Sequence, residues 1–132
     1  RLVLERKTRL FPEQLQRQQR NALLAKQILA DADVALPSYA EEAEPNFYVL
    51  PLRFGSSAEL LRVRDALAAD GVETHRYQRG ISRIAARYYG YRGDCSNSEQ
   101  AEETVLWVPL HYALPEADVE RIAHTVRSAL AP

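Results

Sequence analysis

Side chains able to do covalent or acid–base chemistry are sparse in this sequence. Its amines are Lys7 and Lys26, its imidazoles His75, His111 and His124, and its one thiol is Cys95. A lysine acts as nucleophile or proton carrier only where a cleft brings an electrophile to its amine or lowers its pKa. Lys7 precedes a long helical run and Lys26 lies inside it. Cys95 has no second cysteine to pair with and no His or Cys spaced to complete a zinc site, and reads as a structural or surface thiol. His111 and His124 have no second ligand at helical spacing, so no metal site is expected.

What does concentrate is positive charge among aromatics. His75, Arg76, Tyr77 and Arg79 stand together, followed by Arg83, Arg87, Tyr88, Tyr89, Tyr91 and Arg92. A guanidinium can hold a carboxylate or phosphate through two parallel N–H bonds, which makes the first group a candidate anion site. The competing reading leaves Arg76 and Arg79 as solvated charges and Tyr77 as a packed edge residue. The second group has the makings of a base-stacking patch. Against a nucleic-acid partner stand 17 basic and 18 acidic residues, a net charge of -1, and the lack of a recognisable binding motif.

These residues need elements to position them. Pro12 suits a first helical turn, and residues 13–31 are rich in Gln, Arg, Leu and Ala, so a long helix is expected there. Leu15, Ala22 and Leu29 fall seven apart, widened by Leu24, Ala25, Ile28 and Ala32. Residues 1–10 look like the tail of an earlier element. Residues 33–46 sustain no period and read as a loop or short irregular strand. Residues 47–54 read as a strand, with Pro51 demanding an edge or bulge. Ser56 and Ser57 open a second helix that Gly71 closes. Residues 72–77 form a second strand, and residues 79–93, broken by Gly80, Gly90 and Gly93, a loop with about one helical turn. A helix from 97 or 98 to 105, with Glu99 and Glu102 favourably placed in its first turns, leads to a strand over 106–110. Pro115 opens a last helix with Val119, Ile122, Ala123, Val126 and Leu130 on one face.

The expected fold class is therefore a two-layer α/β (α+β) domain. A small sheet of about three strands carries helices on one face and is preceded by a long linking helix. Residues 1–33 make the linking-helix region and 46–132 the small domain. At 132 residues the chain has the length of one domain. No apolar stretch approaches the roughly 18 residues of a membrane span, so a soluble, cytoplasmic protein with no membrane partner is expected.

The order of elements and several strings resemble the C-terminal region of the DegT-type nucleotide-sugar aminotransferases, fold-type I enzymes dependent on pyridoxal phosphate (PLP). The likeness runs from about residue 10 to residue 130. EQLQRQQRNALLAKQILAD is similar to the helix that links large and small domains in that family, and NFYVLPLRF to the first small-domain strand. RVRDALAADGVETHRY resembles a unit ending "L-x-x-x-G-I-x-T", and SEQAEETVLWVPLHYALPEADVERIAHTVRSAL resembles the family's ending, with Trp107 and Val108 in place of smaller residues. Where the family has "T-R-P-Y-F-P-P-I-H", this chain has Thr74, His75, Arg76, Tyr77, Gln78, Arg79, Gly80, Ile81 and Ser82, so Tyr77 and Ile81 match and the family's histidine falls on Ser82.

The resemblance implies an aminotransferase acting on a keto-sugar nucleotide with an amino acid as donor. It implies a PLP-binding large domain ahead of Arg1 that holds most of the cofactor and supplies its lysine, and a homodimer. The chain alone then contributes no catalytic residue and is expected to be inactive. Its implied role is a wall of the substrate cleft, with His75, Arg76, Tyr77 and Ser82 as substrate-binding residues. The alternative is a non-catalytic α/β interaction or binding module, favoured by the Ser82 departure.

Overall fold

The computed structural model describes residues 2–76 and 78–131. It opens with helix α1 (Leu2–Ile28). The sequence reading starts this helix after Pro12, but the structure carries it through that residue from Leu2. Proline deletes one donor from the ladder, yet Pro12 is exposed and strong helix formers flank it, so the helix continues on both sides. Only the second half reaches the core, through Ala22 and Ala25, with Leu29 just beyond its end.

Residues 29–48 are irregular and are tied down at several points, among them the Asn46 and Pro45 carbonyls, which accept from the Gln18 and Gln19 side chains. Ala35 N–H donates to the Arg53 carbonyl at 2.8 Å, and Arg53 N–H donates back at 3.1 Å. The Lys26 ammonium donates to the Pro37 carbonyl at 3.1 Å and sits 5.8 Å and 5.9 Å from the ring centres of Tyr39 and Phe47.

The sheet holds β1 (Val49–Arg53), β2 (His75–Arg76) and β3 (Val105–Pro109), antiparallel and in the order β1-β3-β2. The last strand in sequence is thus the central one. Two prolines fit this sheet for one reason. Backbone groups of an antiparallel strand alternate between its two sides. Arg53 turns its N–H and carbonyl outward to Ala35, so Pro51, two residues earlier and opposite Trp107, also faces the outer edge. Trp107 pairs with His75, and Pro109, two residues on, faces the same side past the end of β2. Neither missing N–H is asked for by the ladder.

Leu50, Leu52, Leu106 and Val108 are buried on one sheet face, while Val49, Pro51, Val105, Trp107 and Pro109 on the other are half-exposed. The buried face meets α2 (Ser57–Ala69) and α5 (Glu116–Leu130), which bring Leu60, Val63 and Leu67, and Val119, Ile122, Ala123 and Val126. A reciprocal capping box starts α2: Ser56 Oγ accepts from Glu59 N–H and Ser56 N–H donates to Glu59 Oε2, both at 3.2 Å. Its end closes as a Schellman turn, Val72 N–H to the Leu67 carbonyl at 2.8 Å and Gly71 N–H to Ala68 at 3.1 Å, with Gly71 at φ +75°. Asp70 then ties α2 to α5 by accepting from Arg121 Nη1 at 2.6 Å and Thr125 Oγ1 at 3.1 Å.

Between β2 and β3 lie α3 (Ile81–Tyr89) and α4 (Ser96–Thr104). Two sequence expectations change here. Of the strand expected over 72–77, β2 takes 75–76; Val72 N–H is committed to the Leu67 carbonyl in the α2 turn, and Tyr77 lies outside the described residues. The loop with one turn becomes a nine-residue helix, bounded rather than broken by Gly80 and Gly90, both left-handed. Leu106→Ala is expected to lower the unfolding free energy by about 3 kcal/mol, and Val105→Ala on the half-exposed face by about 1 kcal/mol. Urea titrations followed by circular dichroism check the order; equal losses would contradict the one-sided core.

Candidate functional site

Two clefts flank β2; among the residues expected to bind substrate, Ser82 lines one, His75 the other, and Arg76 borders both. Arg76 faces the side of its partner Leu106, and its Nη2 donates to the Glu102 carbonyl at 3.0 Å and to Glu103 Oε2 at 3.2 Å. Its side chain is only 12% exposed, and among the described residues its buried Nε has no hydrogen-bond partner. Ser82, in the first turn of α3, donates its hydroxyl to Glu102 Oε1 and its N–H to the same oxygen at 2.6 Å. Arg76 and Ser82 thus meet around Glu102, in a polar cleft of about 400 Å³ rimmed by Arg79, Arg83 and Glu103.

His75 looks the other way. Its side chain is 71% exposed, its Nε2 lies 4.0 Å from Glu73 Oε1, and it shares the uncovered sheet face with Trp107. There a cleft of about 540 Å³ is bordered by Tyr48, His75, Gln78, Trp107 and His111. It adjoins an apolar groove of about 520 Å³ walled by Tyr39, Phe47, Val49, Pro51 and Trp107. Tyr77 lies outside the described residues.

Sequence reasoning places Glu102 as a favourable charge in the first turns of its helix, whereas it is 7% exposed and serves a different helix. Besides Ser82, it accepts from Gly80 N–H at 3.0 Å. The Ser82 hydroxyl holds the carboxyl below its ordinary range against the opposing effect of burial, with help from the two amides and from Arg83. A signal for this role existed in the sequence. A helix that begins after glycine has no side-chain cap of its own, so its first N–H groups need an acceptor from elsewhere. In the same stretch Tyr91 donates to Glu99 Oε1 at 3.1 Å and accepts from Cys95 N–H at 2.9 Å. Burial, then the Glu99 bond and its charge, push this phenol up, against the Cys95 amide.

The other candidates are placed as follows. Cys95 is exposed at the start of α4, and the His111 Nδ1 accepts from Ala113 N–H at 3.3 Å in the turn before α5. Arg87 stacks on Tyr88 at 5.1 Å on the exposed side of α3. Among the described residues no group of three or more His, Cys, Asp or Glu can hold a metal ion, and no helix is long and apolar enough to cross a membrane. PLP needs an amine facing a cleft and an acid for its ring nitrogen. Lys7 is exposed on α1 and Lys26 is committed to Pro37 and two rings, so the described residues do not fit that cofactor on their own.

Residues 2–127 match the sequence pattern of the DegT/DnrJ/EryC1/StrS aminotransferase family. Among solved structures, the aminotransferase TlmJ from Streptoalloteichus hindustanus superposes with a TM-score of 0.85 at 26% identity, over 96% of this chain and 34% of its own. DesV from S. venezuelae, solved in complex with a ketimine intermediate, gives 0.84 at 21% identity over 98% and 35%. A DegT DnrJ EryC1 StrS aminotransferase from Brucella abortus gives 0.83 at 20% identity over 98% and 35%. No curated protein sequence matches the chain. The chain spans about a third of the length of these structures, 34–35%. The long first helix, the small antiparallel sheet covered on one face, and a sequence match that runs nearly end to end agree on one assignment: the chain belongs to the DegT/DnrJ/EryC1/StrS aminotransferase family.

Proposed function

We propose that this chain forms the substrate-cleft wall of a PLP-dependent aminotransferase that moves an amino group from an amino acid to a keto-sugar nucleotide. The observation that carries this reading is the family match over residues 2–127, joined to a fold that covers only about a third of a solved aminotransferase, 34%. The cofactor and the lysine that captures it then belong to a further domain of the same protein, which acts in the cytoplasm as a homodimer. The neighbours' names support this, since they include a putative sugar aminotransferase of Streptococcus pneumoniae in its PMP and PLP forms.

Within that reading the chain's own residues bind and orient. Arg79 and Arg83 stand exposed on the rim of the polar cleft and can offer paired N–H groups to the carboxylate of the donor or to a diphosphate. Arg76, anchored below them on Glu102 and Glu103, adds positive charge at the cleft floor. Ser82 sits beside them, His75 approaches the substrate from the uncovered sheet face, and Tyr77 is the fourth substrate-binding residue of this reading.

A second reading, a non-catalytic binding module, draws on α3. Its Ile81, Ile84, Tyr88 and Tyr89 are all exposed, and an apolar helix side left in water suits a protein partner. The two readings separate on the protein expressed from its whole gene. The first expects yellow PLP absorbance and amino transfer to a keto-sugar nucleotide, both lost when a lysine outside these 132 residues is replaced. A whole-gene product with neither property sinks it and leaves the binding module. In the active enzyme, Arg83→Ala should raise KM for the anionic substrate by roughly tenfold or more, the worth of one charge-assisted hydrogen bond, with kcat little changed. An unchanged KM for both donor and acceptor removes Arg83 from the site.

A further inference from the structure

Helix α3 is held in an unusual way. None of its residues is buried, and the residue before it, Gly80, is left-handed and has no side chain to cap the exposed amides. Upstream, Gln78 also takes a positive φ of 41°, a conformation that a side-chain-bearing residue keeps only when its surroundings impose it. What meets these amides is one carboxylate on the neighbouring helix. Glu102 accepts from Gly80 N–H at 3.0 Å, Ser82 N–H at 2.6 Å and the Ser82 hydroxyl. One turn earlier on the same side of α4, Glu99 receives Tyr91 from the far end of α3. Two acids three residues apart therefore clamp both ends of a helix that has no core of its own.

We infer that Glu102 is the positioning residue for residues 78–92: a latch whose carboxylate fixes the start of α3, and with it the Ser82 side chain and the arginine rim of the polar cleft. The latch stands on this geometry alone, while its effect on substrate rests on the aminotransferase reading. Charged groups around Glu102 act in both directions. Arg76 from β2, Arg79 ahead of α3 and Arg83 within it favour the carboxylate, and Glu99 and Glu103 of its own helix oppose it. The donors and Arg83 prevail over burial, so the folded protein holds the carboxyl lower than the unfolded chain does. A group of that kind contributes stability above its unfolded pKa of about 4.3 and loses it as pH falls through the lower folded value. The latch is thus fully engaged at neutral pH and opens in acid below that range.

Hydrogen exchange read by mass spectrometry on the 132-residue chain tests this without reference to activity. In Glu102→Gln, protection over residues 80–89 should fall by roughly tenfold or more, the equivalent of one charged hydrogen bond, while residues 119–126 of α5 keep theirs. Ser82→Ala, which touches no core residue, should give a smaller loss confined to the same segment. In the unsubstituted chain, protection of α3 should fall below about pH 4 before that of α5, and Glu102→Gln should show no such step. Full protection of α3 in either variant, or loss in α3 and α5 together as the unsubstituted chain is acidified, overturns the latch. A latch that behaves as described in a protein that fails to transfer amino groups leaves the inference standing and removes the aminotransferase reading instead.

Discussion

The structure depends on burying one face of a very small sheet. Three strands, one of them two residues long, make too few backbone hydrogen bonds to stand alone in water. Their stability must come from the leucine and valine side chains that β1 and β3 send to one side. Leu50, Leu52, Leu106 and Val108 meet Leu60, Val63 and Leu67 of α2 and Val119, Ile122 and Val126 of α5, with Ala22 and Ala25 of α1 completing the same cluster. Placing the last strand in the middle lets two hairpin-free connections, α2 on one side and α3–α4 on the other, feed the same central ladder. The connection through α2 lands on the core. The connection through α3 and α4 runs beside it, and that difference sets where rigidity ends.

Elements whose residues enter the core were legible in the amino-acid sequence because burial leaves a period. The second half of α1, the whole of α2 with its serine cap and closing glycine, and the apolar face of α5 repeat at helical spacing; α2 and α5 also begin and end close to the expected residues, whereas α1 runs from Leu2 to Ile28 instead of over 13–31. Pro51 announced an edge strand because a missing N–H has only one tolerable direction. Helix α3 has Ile81, Ile84 and Tyr88 at helical spacing but buries none of them, and its flanking glycines look like breaks until one sees that each is left-handed and bounds the helix. Val72 has strand-like composition, but its N–H is taken by the turn that closes α2.

The same distinction governs the site. Arg76 could be picked out by type, since a lone arginine on a short strand either meets an anion or an acid of the protein itself. The acid it meets is set by strand pairing: Arg76 lies opposite Leu106, which brings the end of α4 under its guanidinium. Glu102 and Ser82 are twenty residues apart in sequence and touch only because α3 folds back on α4. No local period reports such a contact. It leaves an indirect trace, an uncapped helix start whose amides need an acceptor, and that trace points to an unnamed partner rather than to Glu102.

These placements bear on what the chain can do chemically. Each group that could have served as a reactive amine or acid in the described structure already has a structural task or faces open solvent. Lys26 holds the 29–48 segment onto α1, Glu102 caps α3, Glu99 anchors Tyr91, and Lys7 and Glu103 are exposed. By contrast Tyr48 and His75 stand exposed beside a cleft of about 540 Å³ on the uncovered sheet face, and Arg79 and Arg83 stand exposed at the rim of the polar cleft. Such a use of its acids and its central lysine supports the proposed reading, in which this chain holds a ligand and the reacting groups come from elsewhere in the protein. Strand β2 stands between the two clefts: His75 borders the one on the uncovered sheet face, and Arg76 borders both.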